Sequence, residues 1–114
     1  MKGKGSYIGE LEELVLLVVG ILGDEAYAVG VLQEMKEQTG REVNISAIHA
    51  VLARLEDKGW LSSSMGGASK VRGGRRKRFF HLTSAGREML DQVRSVRENL
   101  YAQLPQGITY SFSV

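Results

Sequence analysis

The chain has 114 residues and no cysteine. That is the size of one domain with a modest core, and it excludes a disulfide framework and a thiolate metal site. Its formal net charge is only +2, yet six of its 15 basic side chains lie between residues 70 and 78 with no acid among them, leaving nine to face 13 acids elsewhere. A basic cluster on an acidic body is the pattern of a local polyanion contact.

Residues 1–8 are rich in glycine and lysine and read as a flexible N-terminus. A first helix is expected over residues 9–22, where Leu11, Leu14, Val15, Val18 and Leu22 recur at helical spacing. Leu17 and Ile21 add apolar surface at another angle, so this helix has one side for its own domain and another for a partner. Its apolar run, residues 14–22, is broken by Gly20 and is too short to span a bilayer. Acids precede the run and no small-residue cleavage site follows it, so neither a membrane anchor nor a signal peptide is expected, and a cytoplasmic protein is.

Gly23, Asp24 and Glu25 form a turn in which Asp24 is the expected N-cap of a second helix over residues 26–39, stopped by Gly40. Ala28, Val31, Leu32 and Met35 form its core stripe. A third helix is expected from an N-cap at Asn44 to a stop at Gly59. Ile48, Val51, Leu52 and Leu55 face the core, while Ser46, Ala50, Ala53, Arg54 and Asp57 face away and Ala47 and His49 flank them. The outer face is small in its first turns, which permits close approach to another surface.

Residues 60–65 and 77–82 are strand candidates, joined by a glycine-rich loop that carries most of the basic cluster. Helix, strand, basic loop, strand is the sequence form of a recognition helix with a wing. Thr83 then caps a long fourth helix in which Met89, Val93, Val96 and Leu100 repeat at a spacing near that of a coiled-coil seam, ended by Pro105. The expected fold is mainly α with a small β-hairpin: a winged helix-turn-helix over 9–82, a dimerisation helix over 83–104 and a tail over 105–114.

Catalytic patterns are weak. His49 and His81 lack metalloprotease spacing, residues 66–70 lack the spacing and the following helix of a phosphate loop, and the acid pairs Glu12-Glu13 and Glu56-Asp57 read as solvated helix surface. The expectation is no enzyme, no metal and no cofactor.

The ordered segments LEELVLLVVGIL, DEAYAVGVLQEM, RLEDKGWL and RGGRRKRFFHLTSAGR resemble the PadR family of bacterial transcriptional regulators over roughly residues 9–104. The family fold is a winged helix-turn-helix with a C-terminal dimerisation helix, and a single long helix after the wing is similar to its short subfamily. Members are mostly repressors that release DNA on binding a small molecule. The resemblance implies a DNA-binding, dimeric regulator with a hydrophobic effector. An RNA-binding or protein-interaction module is the alternative for such a fold. Two departures from the family pattern stand out. Many members carry glycine and tyrosine where this chain has Ser46 and His49, which alters a backbone contact. Some ligand-binding members carry a tryptophan in the last helix, whereas the one tryptophan here, Trp60, lies in the wing, where it is expected as a packing residue that closes it.

On this reading the third helix enters the major groove with Asn44, Ser46 and His49 as hydrogen-bonding groups and Ala47 and Ala50 toward thymine methyls. Arg54 lies further along, toward phosphate. Lys70, Arg72, Arg75, Arg76, Lys77 and Arg78 are the wing's phosphate or minor-groove contacts, with Arg78 and Lys77 in or beside the strand. Tyr27 is a further phosphate contact. Leu14, Val18, Met89, Val93, Val96 and Leu100 are the expected dimerisation residues, with any effector lined by the first five.

Overall fold

The structure, a computed structural model, describes residues 8–66 and 76–106. Helices α1 (Glu10–Leu22), α2 (Ala28–Thr39) and α3 (Ile45–Asp57) pack on one another. An antiparallel hairpin of β1 (Leu61–Met65) and β2 (Arg78–Leu82) follows, and α4 (Ser84–Ala102) closes the chain. The arrangement is a winged helix-turn-helix followed by one long helix. The expected elements are all present, and Lys70, Arg72 and Arg75, with residues 1–7 and 107–114, lie outside the described residues.

The core is built from the stripes that face inward. Val15, Leu16, Val18 and Val19 of α1 meet Val31 and Met35 of α2 and Ile48, Val51, Leu52 and Leu55 of α3. Trp60, Leu61, Phe80 and Met89 close the base. Trp60 is therefore a packing residue, as expected.

Local chemistry sets the helix limits. Asn44 Oδ1 accepts the Ala47 N–H at 2.8 Å, which satisfies one of the orphan donors at the start of α3. At the other end Gly59 adopts φ 82°, and two bonds close a Schellman motif: Trp60 N–H to Leu55 O at 3.0 Å and Gly59 N–H to Glu56 O at 2.9 Å. Thr83 Oγ1 accepts from Gly86 N–H at 3.0 Å and caps α4.

The start of α2 differs from the expectation. Gly23–Glu25 is a 3-10 turn, so Asp24 is not the N-cap; Tyr27 takes that position with no side-chain bond, and the helix begins at Ala28. Ala26 is pulled out of the helix because its carbonyl accepts the Phe80 N–H at 2.8 Å, tying the α1–α2 connection to the free edge of β2. Edge pairing and burial of Ala26 outweigh two more helical residues.

In the hairpin, Leu61 pairs with Leu82, Ser63 with Phe80 and Met65 with Arg78. One face thus places Leu61 and Phe80 on the core. The fourth helix divides along its length. Met89 is buried and Val93 packs at the core margin, whereas Val96 and Leu100 are each 59% exposed. Leu17, Ile21, Tyr101 and Leu104 are exposed as well.

Candidate nucleic-acid interface

The capped start of α3 presents a small, polar outer surface. Ser46, His49, Ala50 and Ala53 are exposed, and Ala47 is half-buried on the flank. Asn44 is exposed too, but its side-chain oxygen is already engaged in the cap.

The wing stands beside α2. Lys77 Nζ lies 4.2 Å from the centroid of the Tyr27 ring, and Tyr27 meets Phe79 edge-on at 5.8 Å. A cation over an aromatic face is held by the ring quadrupole. The pair thus places a phenol and an ammonium side by side where the α2 start meets the wing. Sequence reasoning named both residues but not their contact, since they are fifty positions apart.

The described bases of the wing are partly engaged. Arg76 Nε donates to the Gly66 carbonyl at 2.9 Å, closing the hairpin beyond its last strand pair. Arg78 Nη1 donates to Ser63 Oγ at 2.9 Å, and Ser63 in turn donates to Glu56 Oε2 at 2.6 Å. This relay joins β2 through β1 to the last turn of α3. Arg76, Lys77 and Arg78 are nonetheless all exposed.

Arg54 is held from behind. Its Nε donates to Glu12 Oε2 at 3.0 Å, and Lys58 Nζ reaches the same carboxylate at 3.2 Å. The Gly9 N–H donates to Glu12 Oε1 at 2.9 Å. Burial pushes the Glu12 carboxyl up, but the Gly9 N–H, then Arg54 and Lys58, outweigh it and hold the group below its usual range.

The acid pair expected as solvated surface is therefore nothing of the kind. Glu12 is buried, and Glu13, with a side chain only 14% exposed, pairs with Arg97 Nη2 of α4 at 3.0 Å. Glu56 is half-buried and bonded. Glu12 falls at i−3 and i−4 from Val15 and Leu16, on the inward stripe of α1. That periodicity was the available signal.

The expected dimerisation residues separate in the same way. Val18 and Met89 belong to the domain's own core and Leu14 is half-buried, so of the six only Val96 and Leu100 are exposed, with Val93 at the core margin. The stripe that meets a domain and the stripe that leaves it are continuous along α4, and only packing separates them.

Two clefts flank the Arg97–Glu13 bridge between α1 and α4. The larger, about 490 Å³, is lined by Leu17, Gly20, Ile21, Leu90 and Tyr101 among others. The smaller is lined by Ile8, Met89, Val93 and Val96. Neither contains Leu14 or Val18, which were expected to line an effector site. Among the described residues no group of His, Asp and Glu is arranged to hold a metal ion, and no helix is long and apolar enough to cross a membrane.

Known proteins share this architecture. A PadR-like transcription factor from Bacteroides fragilis is similar, with 25% identity, a TM-score of 0.66, and 81% of this chain and 84% of that one covered. A PadR family transcription regulator from hypervirulent Clostridium difficile has 18% identity and a TM-score of 0.66, covering 82% and 93%. A PadR family transcriptional regulator from Eggerthella lenta has 23% identity and a TM-score of 0.63, covering 82% and 80%. No curated protein matches significantly. The model of the transcriptional regulator PadR-like family matches residues 16–92, most of the helix-turn-helix, the wing and the first half of α4. With the winged-helix architecture and the exposed basic wing, that match establishes that the chain belongs to the PadR-like family of transcriptional regulators.

Proposed function

We propose that the chain is a homodimeric cytoplasmic repressor that binds double-stranded DNA with sequence preference and is released by a small hydrophobic effector. The observation that carries the DNA reading is the seating of Lys77 against Tyr27, 4.2 Å from its ring, beside a recognition helix whose outer face is small and open. A polar tip, a cation and a thin helix face on adjoining elements suit a phosphate-flanked groove.

In this reading the first turns of α3 enter the major groove. Ser46 and His49 hydrogen-bond to bases or phosphates, and Ala47 and Ala50 approach thymine methyls. Asn44 acts with its amide nitrogen, because its oxygen caps the helix. Tyr27 and Lys77 meet the backbone beside α2, and Arg76 and Arg78 extend the contact. The sequence adds Lys70, Arg72 and Arg75 to the charge of the same wing.

A second copy covers Leu17, Ile21, Val96, Leu100 and Leu104, exposed apolar side chains of α1 and of α4 with the residues just after it. Two-fold pairing would set the recognition helices about 34 Å apart, one turn of DNA. The effector occupies the α1–α4 cleft lined by Met89, Val93 and Val96, whose about 360 Å³ is within the range of small-molecule sites.

The test is a titration on the duplex upstream of the protein's own gene and on a scrambled duplex, at several salt concentrations. Preference for the first, with a log–log salt slope that falls by about 0.9 for each phosphate contact removed in Lys77→Ala or Arg78→Ala, supports the reading. A preference for A-form RNA, or no binding at low salt, moves it to the RNA or protein-interaction alternative.

A further inference from the structure

Glu12 is the one buried charged side chain among the described residues, and the interface as proposed gives it no task. We infer that Glu12 is a positioning residue for DNA binding: its carboxylate aims the Arg54 guanidinium at a backbone phosphate on the rim of the major groove. The inference rests on the DNA reading proposed above.

The contact geometry is the first reason. Glu12 meets Arg54 through Nε, 3.0 Å away, while the arginine side chain stays 55% exposed. A guanidinium is a rigid planar fork with five N–H donors. A carboxylate bonded at Nε therefore restrains the guanidinium through a donor other than its terminal nitrogens. Freezing a long, flexible side chain before binding removes an entropic cost that it would otherwise pay on the DNA.

The second reason is charge. Two cations share one carboxylate. Lys58, with its side chain 24% exposed, lies 3.2 Å from Glu12 Oε1 and is the more deeply placed of the two. It supplies a counter-charge on the inner side, so the trio keeps a net positive charge at its outer edge, where Arg54 stands. The more exposed of the two cations, Arg54, is the one within reach of a ligand while still bonded to Glu12.

The third reason is placement. Arg54 follows Ser46 by eight residues, which is about 12 Å along a helix axis. The major groove is also about 12 Å wide. With the first turns of α3 over the bases, Arg54 reaches the phosphates at the groove edge. Glu12 itself is fixed by the Gly9 N–H at 2.9 Å, so the buttress is anchored to the start of α1 and not to the moving end of a side chain.

The experiment is a double-mutant cycle on the full chain, read as affinity and salt slope on the own-gene duplex and on the scrambled one, with thermal unfolding alongside. Arg54→Ala is expected to weaken binding about tenfold, the scale of one charge-assisted hydrogen bond, and to lower the salt slope by about 0.9. Glu12→Gln is expected to reproduce most of both changes, and the double variant to bind no more weakly than Arg54→Ala alone. Glu12→Gln that binds as tightly as the parent or tighter, or effects that simply add, would overturn the inference.

Arg54→Lys keeps the charge without the Nε–H and serves if Glu12→Gln does not fold. It is expected to keep the salt slope, because the charge remains, but to lose affinity, because the fork that Glu12 orients is gone; full retention of affinity would reject the buttress. A parent protein that binds neither duplex overturns the DNA reading and this inference together. A parent that binds, with Arg54→Ala unaffected, overturns this inference alone.

Discussion

The backbone of Thr83 is bolted to that of Trp60: the Thr83 N–H donates to the Trp60 carbonyl at 3.1 Å. Thr83 Oγ1 also donates to the Gly59 carbonyl at 2.7 Å, so the residue before α4 grips the two residues that follow the C-cap of α3. Gly86 seals the joint, because a Cβ there would run into the Trp60 carbonyl and Leu82 Cδ1. The segment that ends α3 and the start of α4 therefore share one closely packed corner.

Gly86→Ala must break that corner. A clash with backbone cannot be relieved by a rotamer change, so unfolding stability is expected to fall by at least ~2 kcal/mol, the overpacking scale. Urea titration checks it, with the midpoint lowered and the slope unchanged. A midpoint equal to the parent's would refute the close approach.

Asn44 carries two roles that substitutions separate. Asn44→Ala loses the bond to the Ala47 N–H and should cost about 1 kcal/mol of stability. Asn44→Asp keeps an N-cap oxygen and so keeps stability, but places a carboxylate where the proposed interface meets DNA. It is expected to weaken duplex binding more than Asn44→Ala does. Equal binding by all three proteins would remove Asn44 from the interface.

Acid should loosen the α1–α3 junction. The Glu12 carboxyl is held below its ordinary value in the folded chain. Its contribution is therefore present above the unfolded value and is lost as pH falls through the lower, folded one. Between neutral pH and about pH 3, the parent should lose more stability than Glu12→Gln, which has no carboxyl to titrate at this position. Parallel pH profiles for the two proteins would count against it.

Ile21 and Leu100 test the pairing surface. They are 60% and 59% exposed, so charges there disturb no core. Ile21→Glu with Leu100→Glu is expected to shift the sedimentation coefficient from dimer to monomer while the helical circular dichroism is kept. An unchanged coefficient in a dimeric parent would place the interface elsewhere.

Much of the scaffold was legible because it is written locally. Asn44 and Thr83 cap their helices as their side-chain chemistry predicts, and Gly59 takes the left-handed conformation that its place after α3 requires. The strands fall within a residue of their expected starts. The start of α2 was not legible. Asp24 beside an apolar run has the form of an N-cap, and only the hydrogen bond from Phe80, more than fifty residues later, holds Ala26 out of the helix.

The order of helices, hairpin and long last helix, and the basic cluster, are legible in the chain because periodicity, caps and charge act within a few residues, and the ordered motifs add the family resemblance. Tertiary structure alone decided which side chains are used. Glu12 is buried because Arg54 and Lys58 come to it from 42 and 46 positions away. Met89 is core while Val96 and Leu100 are surface, although all three lie on one apolar stripe of α4. Hydrophobic spacing specifies that a face must be covered; which neighbour covers it depends on chain segments brought together only by folding.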